Sequence, residues 1–214
     1  MLRYVSYFKG LSEADLAAVN NHVFEKKAAR GEIIVFEGEP SDAIYYVNEG
    51  VVKAYKTSAD GKEQILRIIR PGDTFNDVPF LGGVNLATAE AMSPVVLYGI
   101  KKKDLETMVH DYPQIAKNII RVLSHRVEEM VNLIEDFSFR HVHGRVAKIL
   151  LENAGNGGKP RLTQQEMAAM IGTAREMVGR SFKNLEAEGA IRLEHNRIII
   201  ANRAVLLKIA GLDE

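Results

Sequence analysis

The chain has 214 residues, 46% hydrophobic and 26% charged, with 28 basic and 28 acidic side chains and a formal charge of zero. That length suits two modest domains, each able to bury its own core. No apolar run approaches the roughly 20 residues of a membrane span, no basic-then-apolar leader opens the chain, and the absence of cysteine excludes disulfides, thiolate metal sites and thiol switches; no membrane partner and a cytoplasmic location are therefore expected.

Ser12 can cap a short helix reaching Val23, with Leu16, Val19 and Val23 at helical spacing and Glu13 and Asp15 in the first turn. From Gly31 to Lys101 the pattern changes to brief β-rich runs at Ile33–Phe36, Ala43–Val47, Val51–Tyr55, Ile65–Ile69 and Val95–Ile100. Turn signals separate them at Gly38, Glu49-Gly50, Asp60-Gly61, Pro71-Gly72-Asp73 and Gly82-Gly83. Many short strands at this spacing predict a β-sandwich or closed roll. No histidine lies between His22 and His110, so the roll lacks the ligand set of a cupin-like metal enzyme, and no catalytic activity is expected.

Lys102 to His110 reads as a short helix, and Pro113 opens a much longer one. Along it Ala116, Ile120, Leu123, Val127, Met130, Ile134 and Phe137 recur at alternating intervals of four and three, an a/d heptad seam. Ile119, Val131 and Leu133 form a second apolar set. Two apolar stripes on one helix need two partners, so the seam is read as a two-fold dimer contact and the second set as packed on the chain's own roll. The alternative is a single face packed on the roll.

After Phe137 the composition turns basic: 12 Lys/Arg against 8 Asp/Glu from Arg140 onward, and 16 against 20 before it. A helix is predicted from Val142 to Ala154, followed by a loop from Gly155 to Pro160, with the boundary near Ser138 to His141. The expected organisation is residues 1–112, 113–138 and 139–214. His141 and His143 lack a nearby third ligand and read as solvent-facing or hydrogen-bonded, so no metal is expected.

Thr163 can cap a helix whose third residue inward is Glu166, a capping box, with Met167, Met170 and Ile171 on the inner face and Gly172 ending it. A second helix starts at Thr173 or Ala174 and runs to about Glu188, with Val178, Phe182 and Leu185 inward. A helix, a tight glycine turn and a second helix make the helix-turn-helix unit, whose second member lies in the major groove of double-stranded DNA. Arg175, Glu176 and Arg180 sit where its first turns would meet base edges: arginine pairs bidentately with guanine O6 and N7, and glutamate accepts from cytosine N4. Exposed charges are usually only solvated, but three in this frame point to base reading. Thr163, Gln164 and Lys183 are candidates for phosphate contacts that set register, and Thr173 joins the DNA-binding set at the helix start. Ala190–Glu194 and Arg197–Ile200, joined by His195-Asn196, predict a hairpin wing.

Leu162 to Gly189, with its core Arg175-Glu176-Met177-Val178-Gly179-Arg180, resembles the recognition motif of the catabolite-activator branch of the CRP/FNR regulators, and the resemblance covers nearly the whole chain. It implies an α+β architecture: an N-terminal β-roll of the cyclic-nucleotide-binding type, jelly-roll-like, then a long dimerisation helix and a winged helix-turn-helix. It further implies a homodimer on TGTGA-like inverted half-sites, with RNA polymerase as another partner. The FNR branch typically carries serine at the Gly179 position, so Gly179 points to the activator-type half-site. The rival is a ligand- or haem-sensing interaction module without a primary DNA role, which leaves Arg175, Glu176 and Arg180 unexplained.

The family's cyclic-AMP pocket uses a Gly-Glu pair and, further along, an Arg-Ser pair that clamps the phosphate. The resemblance therefore places an effector pocket at Asn76, Asp77, Val78, Ala87 and Thr88, with Met130 and Val131 where the family sets a polar Thr and Ser against the adenine. Asp77 stands in for the acid that meets the ribose. Ala87 occupies the arginine's place, and Thr88 alone does not replace a guanidinium–phosphate pair. Cyclic AMP is not the expected effector. Haem would need an axial ligand, and none of the six histidines is near Phe75 or Asn76. A more apolar small molecule, a haem or gas sensor, and an effector-independent regulator stay open. The family also implies the coupling: a shift of the seam around Met130 to Phe137 would swing the hinge and set two recognition helices about one DNA turn apart.

Overall fold

The computed structural model describes residues 2–77, 83–153, 162–194 and 197–212. The chain forms two compact units, Met1–Lys62 with Leu66–Glu129, and Glu63–Ile65 with Met130–Glu214.

The first unit opens on two 3₁₀ turns, Leu2–Tyr4 and Ser6–Phe8, and helix α1 (Glu13–Asn20). Ser12 and Asp15 close a capping box at its start. The helix stops at Asn20 instead of reaching Val23, because Val23 already pairs with Ile100 in a sheet. Eight strands follow: β1 (Val23–Ala28), β2 (Ile33–Val35), β3 (Ala43–Glu49), β4 (Val52–Thr57), β5 (Glu63–Ile69), β6 (Thr74–Phe75), β7 (Thr88–Ala91) and β8 (Val95–Lys101). They form two four-stranded sheets, β1-β8-β3-β6 and β2-β7-β4-β5. Residues of both sheets share one core, including Val47, Val52, Ile69, Ala91 and Leu97. Tyr45 stacks on Phe75 in that core, with ring centroids 5.2 Å apart.

Strands β1, β6 and β7 carry no strong sequence signal. β1 reads Glu25-Lys26-Lys27 in its middle and lies at a sheet edge, where charge is tolerated. β7 is Thr-Ala-Glu-Ala, and its Glu90 is held by Lys53 across the β4–β7 ladder at 3.1 Å. The predicted turn at Glu49-Gly50 does form: Gly50 has a positive φ of 84°, and a Cβ there would meet the Pro94 carbonyl at 2.3 Å.

Helices α2 (Lys102–Asp111) and α3 (Pro113–Phe139) follow. A second cluster gathers Tyr7, Phe8, Val19, Ile44, Ile100, Leu105, Ile115 and Ile119. The strand run at β8 is apolar on both faces because Leu97 serves one core and Ile100 the other. Buried Asn118 joins α3 to the N-terminal segment, donating to the carbonyls of Tyr7 (2.9 Å) and Lys9 (2.8 Å).

Among the apolar residues of α3, Ile119 is buried as expected, Leu133 is half-buried, and Val131 is exposed. The expectation that Val131 packs inward is therefore corrected. At 100° per residue it is rotated about 120° from Ile119, which places it beside the heptad seam. Ile120, Leu123, Val127, Met130, Ile134 and Phe137 are all exposed, Ile134 at 65%.

The second unit contains α4 (Val142–Asn153), α5 (Gln164–Ile171), α6 (Arg175–Ala187), β9 (Ile191–Glu194), β10 (Arg197–Ile200) and α7 (Arg203–Ala210). The last helix was not anticipated; Asn202 caps it by accepting from the amides of Ala204 and Val205. Val146, Ile149, Met167, Ile171, Val178, Phe182, Leu185, Ile191 and Leu206 share the core. Between α3 and α4, Asp136 pairs with Arg140 (2.7 Å) and Lys148. Arg145 donates to the carbonyl of Arg140 (2.9 Å), and Arg140 to that of Gly211 (3.2 Å). The predicted loop from Gly155 to Pro160, Gly82 of the predicted turn and the wing residues His195-Asn196 lie outside the described residues. Among the described residues no helix is long and apolar enough to cross a membrane.

Candidate nucleic-acid interface

The geometry of α5 and α6 starts from two local sequence choices. Thr163 accepts from the Glu166 amide at 3.1 Å while the Glu166 carboxylate accepts from the Thr163 amide, so both ends of the capping box are closed. Gly172 then takes a left-handed φ of 65°, and the Thr173 amide donates back to the Ala168 carbonyl at 3.0 Å. This is the hydrogen bond that terminates a helix sharply and turns the chain. The sequence allowed a start at Thr173 or Ala174; the helix begins one residue further on, with Ala174 as N-cap and Arg175 as first helical residue.

The inner face of α6 is Val178, Phe182 and Leu185, all buried in the core of the unit. Arg175, Glu176, Arg180 and Lys183 are exposed on the other side. Among the described residues, Arg175, Glu176 and Lys183 enter no ion pair. Arg180 Nη1 lies 3.9 Å from the Met177 sulfur. Thr163 and Gln164 are exposed at the start of α5, and Thr173 is half-buried. Gln164 Oε1 comes within 3.6 Å of where a Cβ on Gly179 would stand, so the start of α5 and the middle of α6 adjoin. Such a face offers donors and acceptors to an outside partner without first having to break internal pairs. β9 and β10 pair as the predicted wing, Ile191 opposite Ile200 and Arg192 opposite Ile199. His143 Nε2 stands 3.3 Å from the Glu188 carboxylate at the end of α6.

The positions expected to form an effector pocket are described differently. Asn76 has a φ of 59°, a left-handed conformation that asparagine tolerates, and donates to the Ala43 carbonyl at 2.8 Å. The place of the glycine in the family pattern is thus taken by a residue that also tolerates the left-handed region. Asp77 accepts from the Tyr7 hydroxyl and pairs with Arg126 Nε at 3.5 Å. Thr88 Oγ1 accepts from the Glu37 amide at 3.1 Å, and Ala87 is half-buried. Val78 lies outside the described residues. Met130 and Val131 are exposed on α3 and belong to the other unit.

Two cations beside Asp77 escaped the sequence reading. Arg126 also pairs with Glu129 (3.0 Å), and Arg67 pairs with Asp73 (3.6 Å) and Glu129 (3.8 Å). Both guanidiniums donate to the Thr74 carbonyl, at 2.9 and 3.1 Å. Burial, and then the neighbouring Arg126, lower the pKa of Arg67 from its ordinary value; burial and then Asp77 raise that of Tyr7 well above its own. The signal was available: Arg67 interrupts the apolar run Ile65-Leu66-Arg67-Ile68-Ile69, where a charge needs an internal partner.

Comparison with known proteins bears on both regions. The cyclic nucleotide-binding domain family matches residues 25–112, and the Crp-like helix-turn-helix domain family matches residues 144–209. A "CRP-like cAMP-activated global transcriptional regulator" of Mycobacterium tuberculosis is 31% identical over 98% of each chain. A "Cyclic AMP receptor protein" of Thermus thermophilus is 28% identical over 95% of each. The structure of FixK2 from Bradyrhizobium japonicum has the same fold, with a TM-score of 0.78 over 87% of this chain and 96% of that one, at 24% identity.

Proposed function

This chain belongs to the CRP/FNR family of DNA-binding transcription regulators, a family that is not enzymatic, and from that premise we propose that it acts as a homodimer reading an inverted repeat of TGTGA-like half-sites. The observation that carries the reading is the outer face of α6, where Arg175, Glu176 and Arg180 stand exposed over the buried Val178, Phe182 and Leu185. Arginine on guanine and glutamate on cytosine N4 are the pairings that a G·C-containing half-site offers. Thr163, Gln164 and Lys183 supply phosphate contacts around it, and Thr173 completes the DNA-binding set at the helix start.

Dimerisation is supported by the stripe from Ile120 to Phe137. Six apolar side chains exposed at heptad spacing on one helix cost solvation unless a second copy covers them. Val131, beside the stripe, widens that surface. RNA polymerase is the further partner carried from the family.

The effector is not cyclic AMP in this reading, although relatives carry that name. Ala87 offers no charge to a cyclic phosphate, and Met130 and Val131 offer no hydrogen bond to an adenine. Arg67 and Arg126 do not fill the gap, since Asp73, Asp77 and Glu129 already pair with them. An absorption spectrum and native mass spectrum of the purified protein distinguish haem, another bound small molecule, and no effector at all.

The function is tested by titrating the protein onto a duplex with TGTGA-type inverted half-sites and onto a scrambled duplex across a range of salt. Specific binding at least tenfold tighter than non-specific is expected, and Arg180→Ala should relax the preference at one guanine per half-site. Equal affinity for the two duplexes would falsify the reading. Sedimentation should give a dimer for the parent protein and a monomer for Ile134→Glu.

A further inference from the structure

Met177 stands among the charged residues of α6 without belonging to the core beneath them. It is 37% exposed, and it is absent from the cluster that Val178, Phe182 and Leu185 share. It is also the one large apolar side chain of α6 with that exposure. A solvated helix face is served equally well by lysine, glutamine or glutamate, whose helix propensities match that of methionine. An apolar group there, set among charges on the face read as the recognition surface, is available to an apolar partner from outside the chain.

Its position says which one. Arg180 is one turn further along, rotated by about 60° from Met177 at 100° per residue. The two side chains touch, with Arg180 Nη1 3.9 Å from the Met177 sulfur. We propose that Met177 is a further specificity-determining residue, whose thioether methyl contacts the C5-methyl of a thymine next to the base pair that Arg180 reads. The proposal deepens the assignment of α6 as the recognition helix and rests on it.

In the major groove thymine alone among the bases presents an apolar group, the C5-methyl. Methionine is unbranched and flexible enough to follow it. The sulfur contact restricts the reach: with the guanidinium on one base pair, the methyl carbon bonded to that sulfur can meet only the adjacent step, about 3.4 Å along the helix. Arg180 and Met177 would then read a two-base word together, the arginine by hydrogen bonds and the thioether by apolar contact.

The test replaces each thymine of one half-site in turn by deoxyuridine, which keeps base pairing and removes only the methyl. The full-length protein is titrated onto each duplex. One position should weaken binding by roughly fourfold, the equivalent of one buried carbon group. Met177→Ala should bind the thymine and deoxyuridine duplexes alike, while Met177→Leu, which keeps an apolar tip, retains the preference. The salt dependence should be the same for all three, because no phosphate contact changes. Specific binding by the parent protein with no deoxyuridine-sensitive position overturns the Met177 assignment alone, as does a sensitivity that survives in Met177→Ala. A parent protein that does not distinguish the half-sites from scrambled sequence overturns this assignment together with the reading of α6.

Discussion

On α6 the side chains of Arg175, Glu176 and Lys183 stand in solvent without ion pairs among the described residues, whereas Arg67, Arg126, Asp73, Asp77 and Glu129 turn toward one another inside the first unit. The two regions use charge for different ends. An exposed charge keeps its hydration and adds little to stability, so it is free to meet an outside partner. A sequestered charge must be compensated where it sits, and its removal leaves a neighbour uncompensated. In this cluster three carboxylates outnumber two guanidiniums, so neither arginine is left over for an anionic ligand. The two regions thus differ in where their charges find partners: those of α6 stand in solvent, and those around Asp77 pair within the fold.

The sharpest way to break the contrast is to remove what lies under the exposed face. Phe182→Ala opens a cavity beneath α6 and should cost about 3–5 kcal/mol, enough to abolish operator binding at ordinary temperature. Arg175→Ala, on the outer face, should change stability by no more than about 0.5 kcal/mol while weakening specific binding. Denaturant melts beside DNA titrations separate the two. If Arg175→Ala destabilised the fold as much as Phe182→Ala, the outer face would be structural.

The opposite behaviour is expected in the first unit. Arg126 is only 14% exposed at its side chain and Asp77 only 10%. Arg126→Ala strands the Asp77 carboxylate and should cost about 3 kcal/mol, with far less loss in the pairwise variant Arg126→Ala/Asp77→Asn. A cost below about 0.5 kcal/mol, the level of a surface pair, would show that the cluster is solvated after all.

The same contrast explains what was legible in the sequence. The capping box at Thr163 and Glu166, the stop at Gly172 and the inward set Val178, Phe182 and Leu185 are local patterns, and each is found where the spacing put it. The heptad seam was legible because a 27-residue helix repeats its period several times. β7 was not, since Thr-Ala-Glu-Ala becomes a strand only by pairing with β2 and β4. Nor was the membership of the cluster around Asp77, although Arg67 in an apolar run signals that some internal partner exists. Tyr7, Arg67, Asp77 and Arg126 are remote in sequence, and only the fold brings them together.

A smaller effect sharpens the local side of that distinction. Thr163→Ala removes one acceptor of the capping box and should cost about 1 kcal/mol, whereas Thr163→Ser should cost a few tenths. Since the cap fixes the start of α5, its loss should lower DNA affinity no more than stability predicts if Thr163 only caps. A larger loss with an unchanged salt slope would mark a phosphate contact as well, because a neutral hydroxyl binds phosphate without releasing a counterion.

The least conspicuous expectation concerns Tyr7, which holds the cluster together from the N-terminal segment. Burial, and then the Asp77 carboxylate, keep its phenol protonated well above the ordinary value of 10.0. The folded state therefore retains a proton that the unfolded state gives up. That contribution is fully present below about pH 10 and is lost as pH rises beyond it. Burial raises Tyr45 and Tyr46 in the same direction, so an alkaline loss of stability in the parent protein has several sources. Tyr7→Phe isolates one of them. It should cost about 1–2 kcal/mol at neutral pH by taking a donor from Asp77, and it should fall less steeply than the parent from about pH 9 upward. Parallel curves for the two proteins in urea melts would mean that Tyr7 titrates as it does in the unfolded chain, which is incompatible with a phenol locked against Asp77. A flatter curve ties the N-terminal segment to the charge cluster and, through Arg126, to α3. Any small molecule that reaches Asp77 must then compete with Tyr7 and Arg126 for the same carboxylate.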